Sequence, residues 1–176
     1  MRYQKFLGFN LPKLGSIEKL DFETNEFSQL RSYKALKQRF IYDMPWEKTD
    51  YFEKFQKQTN SRKPFRGRYT SWASFEKQLQ AWENLYHSIK QLGYIKQSSL
   101  LNNPLKEIEI IIDKHGDPIF LDGRHRLIIA KILNIEFVYV VVKAIDIRFY
   151  NNLIMKLDNR MPNIDDIQDH LTRKNP

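Results

Sequence analysis

No cysteine occurs among the 176 residues. That absence removes disulfides, thiolate metal sites and cysteine nucleophiles together, and it fits a reducing, cytoplasmic setting. Long apolar runs are missing too. The longest, Phe137 to Val142, is strand-sized, far short of the roughly 20 residues that a spanning helix needs. Met1 to Leu20 scatters Lys and Glu among apolar residues and lacks the continuous apolar core of a signal peptide. A soluble protein with no membrane span is expected. Acidic residues are in deficit: 21 Asp and Glu against 29 Lys and Arg leave a net charge of +8. Such an excess suits polyanionic partners such as nucleotides, nucleic acid or acidic lipid surfaces, although solvated lysines give the same balance. No nucleophile elbow, Walker-type loop or dinucleotide fingerprint is present. His87, His115, His125 and His170 show no metal-ligand spacing, so no metal site is expected.

What is present suffices for one core, since 41% of the residues are hydrophobic. After Thr24, a plausible N-cap, Phe27, Leu30, Tyr33, Leu36 and Phe40 recur at helical spacing. A second short helix is expected from Thr49 or Asp50, burying Phe52 and Phe55, with a loop over Asn60 to Gly67. From Trp72, the residues Phe75, Leu79, Trp82, Leu85, Tyr86, Ile89 and Leu92 keep a three-and-four rhythm, and Gly93 stands where a left-handed cap belongs. The opposite face carries Glu76, Lys77, Gln80, Glu83, Asn84 and Lys90, as a solvated surface should. Alternation then takes over. Ile108, Ile110 and Ile112, the connection Lys114-His115-Gly116-Asp117, and Ile119 and Leu121 read as a β-hairpin in which His115 and Asp117 shape the turn. Leu127 to Leu133 reads as a buried helix, and Phe137 to Val142 as a central strand covered on both faces. A last helix is expected over Asp146 to Asp158, followed by a polar helical tail.

Between hairpin and helix lies Asp122-Gly123-Arg124-His125-Arg126. A helix N-terminus exposes unpaired N–H groups and partial positive charge, so cations in its first turn cost about 0.3 to 1 kcal/mol each. Three stand here, and an anion relieves such crowding, phosphate being the common one. Gly123, lacking Cβ, lets backbone approach the ligand and bends strand into helix. Asp122 reads two ways: as an N-cap, or as a site residue that coordinates magnesium or accepts a proton from an attacking hydroxyl. An ordinary Asp-Gly turn with solvated arginines would leave the three basic residues unexplained.

The stretch from Leu85 to Val142 resembles the ParB/sulfiredoxin superfamily, through Leu85-Tyr86-His87-Ser88-Ile89-Lys90-Gln91-Leu92-Gly93-Tyr94 and then Phe120-Leu121-Asp122-Gly123-Arg124-His125-Arg126-Leu127-Ile128-Ile129-Ala130-Lys131-Ile132-Leu133. About a third of the chain is covered. The resemblance implies an α+β fold, a small mixed β-sheet flanked by helices, in which this turn holds the phosphates of a nucleotide. Residues 1–70 would be a helical N-terminal extension packed on the core, 71–145 the nucleotide-binding core and 146–176 a C-terminal helical tail. Sulfiredoxins have Gly-Cys-His-Arg at this turn; Arg124 stands at the cysteine position, which excludes sulfinic acid repair. Chromosome-partitioning ParB proteins continue into a helix-turn-helix and a dimerisation domain, for which too few residues are expected after the last strand. The free serine kinase branch, with an Asp-Gly-His-His-Arg type of turn, is nearest. It implies that Gly123, Arg124, His125 and Arg126 hold the phosphates, with Asp122 and His125 as catalytic candidates. That kinase's further acidic residue has no match by motif. The longer layout, with Trp46 and Tyr51 upstream of the long helix, looks like stand-alone ParB-like proteins.

By that architecture Gly93, Tyr94, Lys96, Gln97 and Ser98 are candidates for lining the pocket; a cap leading into a loop explains them equally well. Arg62, Lys63, Arg66 and Arg68 interleave with Phe65, Tyr69 and Trp72, a pattern that tracks a phosphate backbone while stacking bases, or a solvated loop whose aromatics pack inward. The first expectation is a nucleotide-binding protein, taking ATP, ADP or CTP with Mg²⁺, that acts as a phosphotransferase or NTPase. The alternative is a DNA- or RNA-binding module or nuclease of ParB-like type. A third is an interaction domain that kept the fold without the chemistry. Oligomeric state is not legible in the sequence.

Overall fold

β-Branched residues dominate two stretches of the chain, and these become the middle of a five-stranded sheet. The computed structural model describes residues 2–6, 13–15, 29–60, 65, 69, 71–96 and 107–173. They form a mixed α and β structure that divides into two units.

The first unit holds the sheet: β1 (Arg2–Phe6), β2 (Lys13–Gly15), β3 (Ile108–Ile112), β4 (Pro118–Asp122) and β5 (Phe137–Asp146). Its order is β1-β5-β3-β4, and β2 also pairs with β5. β1 and β2 run parallel to successive stretches of β5, Arg2 opposite Phe137 and Lys13 opposite Ala144. β3 is parallel to β5 and antiparallel to β4. The central strand expected over Phe137 to Val142 is therefore found, extended to Asp146, with Val138, Val140 and Val142 buried on one face. β3 departs from simple alternation: Ile111 is buried along with Ile108, Ile110 and Ile112, because β3 lies between β5 and β4 and is covered on both faces.

At the hairpin tip the Asp113 carboxylate accepts the N–H groups of His115 and Asp117, each at 2.8 Å. Gly116 takes φ +80°, and a Cβ there would fall 2.3 Å from His170 Nε2 and 2.6 Å from the Phe149 ring. After β5, wholly buried Asp146 caps α5 (Ile147–Lys156), accepting Arg148 N–H at 2.8 Å and the Arg148 guanidinium at 2.8 Å. The expected tail is a helix, α6 (Ile164–Arg173), but amphipathic rather than polar: Ile167 and Leu171 are buried. Asn163 and Asp166 cap it reciprocally, and Arg160 grips Asp166 with both guanidinium ends, which holds that carboxyl below its usual range.

The second unit is helical: α1 (Arg31–Phe40), a 3₁₀ turn (Trp46–Lys48), α2 (Asp50–Asn60), α3 (Trp72–Leu92), and the Ile128–Leu133 part of α4 (Arg124–Ile132) and its end. The units thus cut the chain differently from the expected segments. α3 groups with the N-terminal helices, and the C-terminal helices group with the sheet. α1 begins at Arg31, because Leu30 is extended at ψ 127°; Thr24 and Phe27 lie outside the described residues. Thr49 caps α2 through its hydroxyl, which accepts Phe52 N–H at 3.3 Å. Ser71 and Ser74 form a capping box at the start of α3. The core is aromatic. Phe55 and Phe75 stack at 3.9 Å, and Tyr51, Phe65 and Trp82 close around them, each fully buried side chain contributing about 1.5 to 3 kcal/mol.

Glu83 is not the solvated residue that the helical pattern suggests. Its Oε1 accepts Arg39 Nε at 2.6 Å and Trp46 Nε1 at 2.8 Å, and the side chain is 16% exposed. It ties α1 and the 3₁₀ turn to α3. No described helix is long and apolar enough to cross a membrane.

Candidate functional site

α4 opens with a hydrogen bond from the Leu127 N–H to the Gly123 carbonyl, 3.2 Å. Gly123 therefore occupies the N-cap position, and glycine has no side chain with which to cap. Asp122 serves the turn one residue earlier, its carboxylate accepting the Gly123 N–H at 2.7 Å, and its side chain is exposed. The first-turn N–H groups of Arg124, His125 and Arg126 point out along the helix axis, where the macrodipole favours an anion.

Glycine is required at position 123 for a reason different from the one its neighbours suggest. Its φ is +87°, and a Cβ would stand 2.8 Å from Ile108 Cα and 3.3 Å from the Glu107 carbonyl oxygen. The close approach is to β3, so the turn is pressed onto the sheet.

Consecutive helical residues are about 100° apart, so the three basic side chains fan around α4 and do not form one cluster. Arg126 turns towards Tyr94. Burial pushes the Tyr94 hydroxyl far above the usual phenol range, the Glu107 carboxylate raises it further, and the charge and contact of Arg126 oppose both. Tyr94 accordingly stays a neutral donor. Tyr94 Oη and Arg126 Nη1 are both closed to solvent, and neither forms a well-shaped hydrogen bond. His125 Nε2 is closed to solvent as well. Glu107, 2% exposed, is the member of this group that sequence reasoning missed, because a lone carboxylate before an isoleucine run carries no spacing signal.

The structure therefore brings together Gly123, Arg126, Tyr94 and Glu107, all in the first unit, whereas Asp122, Arg124 and His125 share the turn with them but have no described contact with Tyr94 or Glu107. Lys96 follows two residues after Tyr94 and is half-buried. Gly93 belongs to the helical unit, where it ends α3 at φ +74°, ψ −177°, a conformation that glycine takes easily but not the left-handed helical cap. Gln97 and Ser98 lie outside the described residues, as do Arg62, Lys63, Arg66 and Arg68. Among the described residues no group of three or more His, Asp or Glu could hold a metal ion on its own.

No family model matches the chain, and no curated protein or solved structure is significantly similar to it.

Proposed function

We propose that the chain is a ParB-like nucleotide-binding protein that holds nucleotide phosphates at the Asp122–Arg126 turn and hydrolyses or transfers the terminal phosphate. The observation that carries this reading is the pair of buried donors, Arg126 Nη1 and Tyr94 Oη, beside a helix start whose N-cap has no side chain. Arg126 and Tyr94 touch each other, but that contact leaves the Tyr94 O–H and Arg126 Nη1 unmet, and a buried donor left unmet costs about 1 to 3 kcal/mol, more when charged. A phosphate oxygen offset by these donors and by the backbone N–H groups would recover that cost. Arg124 and Arg126 would then neutralise charge as it develops on the transferring group. Asp122 supplies an exposed carboxylate at the turn, and His125 an imidazole, for proton transfer. Magnesium carried on nucleotide phosphates needs only one or two protein carboxylates, which Asp122 fits.

Titration of the purified protein with ATP, ADP and CTP, each with magnesium, tests the reading. Ligand at 100 times its Kd should stabilise the fold by about 2.7 kcal/mol, and Arg126→Ala should abolish the effect. Unchanged melting with every nucleotide at millimolar concentration defeats it. Affinity for a nucleic-acid duplex that falls steeply with salt and ignores nucleotide would favour the nucleic-acid alternative instead.

A further inference from the structure

The helical unit contains a second feature, independent of the phosphate turn: a groove of ≈ 390 Å³ along α3. Its floor is one stripe of the helix, Trp72, Glu76, Leu79 and Glu83, and its wall is the 3₁₀ turn bearing Trp46 and Glu47. No lysine or arginine lines it, on a chain whose net charge is +8; its one imidazole, His87, lies 3.5 Å from the Glu83 carboxylate. Glu83 is already engaged by Arg39 and Trp46, which fixes the Trp46 indole in place. Glu47 and Glu76 are different. Both are exposed, and neither has an ion pair or hydrogen bond among the described residues. Trp72 leaves 45% of its surface in solvent although its ring is braced by Phe52 at 5.3 Å.

Two indoles and two unpaired carboxylates around one groove specify a flat organic cation. An ammonium is a compact, strongly hydrated charge, whereas a guanidinium is planar, weakly hydrated, stacks on indole and donates to carboxylates in pairs. We propose that this groove docks an arginine side chain presented by a basic peptide segment of a partner protein. Charge complementarity is local: Glu47 and Glu76 give this groove an acidic rim on a chain whose net charge is +8.

The probe is a labelled hexa-arginine peptide, titrated into the 176-residue chain at about 50 mM salt, with tryptophan fluorescence and peptide anisotropy as readouts. Saturable binding that quenches tryptophan is expected, with hexa-lysine at least about tenfold weaker. The double variant Glu47→Gln, Glu76→Gln, at two exposed positions, should weaken the arginine peptide by about tenfold or more while leaving circular dichroism unchanged. Trp72→Phe should weaken it to a lesser degree. No binding at millimolar peptide, equal affinity for hexa-lysine, or unaltered affinity in the double variant overturns the proposal. Wild-type self-association in sedimentation that the double variant loses also overturns it, by assigning the groove to a second copy of the chain.

Discussion

Gly123→Ala puts the packing of the turn to a quantitative test. Two penalties apply at this position. The backbone sits at φ +87°, where an L-residue costs about 1 to 2 kcal/mol relative to glycine. The new methyl would also lie 2.8 Å from Ile108 Cα and 3.2 Å from Ile108 Cγ1, and since a backbone atom of a central strand cannot swing aside, overpacking adds about 1 to 3 kcal/mol. The sum is about 2 to 5 kcal/mol, a large share of the 5 to 15 kcal/mol by which a domain is usually stable. Urea unfolding of Gly123→Ala at an unchanged m-value reads the sum directly. A loss below about 1 kcal/mol, less than the backbone penalty by itself, would refute the close approach between turn and sheet, and with it the geometry that aims α4.

Glu83→Ala leaves Arg39 Nε and Trp46 Nε1 without their acceptor; because both groups keep some access to water, the expected loss is about 2 to 3 kcal/mol, read by urea midpoint together with a red-shifted tryptophan emission. For Tyr94 burial holds the hydroxyl proton well above the ordinary phenol value of about 10, so its contribution is intact below that pH and falls away above it, once the unfolded chain ionises and the folded chain does not. Melting temperature should therefore drop between about pH 9 and pH 11, and drop less in Tyr94→Phe; equal slopes in the two proteins would show that the hydroxyl is not buried.

Local patterns were legible and distant pairings were not. The run from Trp72 to Leu92 declares a helix because its rhythm and its terminal glycine are both short-range, and the hairpin is readable from Gly116 and the isoleucines on one side of it. β1 and β2 could not be read: Arg2–Phe6 and Lys13–Gly15 are short, without sustained alternation, and become strands through pairing with β5. Glu83 fits a solvated stripe by spacing, and only the arrival of Arg39 and Trp46 from other elements makes it a junction. At the turn, the order of glycine and basic residues marked a helix start. That Arg126 faces Tyr94 and Glu107, and that Gly123 is pressed against Ile108, depends on chain crossings that no window of sequence contains.

The parallel pairing of β1 with β5 sets a timetable for synthesis. Arg2 meets Phe137, so β1 waits for β5 to be made, on the order of ten seconds at about 5 to 20 residues per second. The helices between them can settle meanwhile from contacts near in sequence, but this parallel pairing cannot form until β5 has emerged. Until then β1 is an open edge, and a nascent chain stalled before Val138 should need a chaperone to keep that edge from pairing elsewhere.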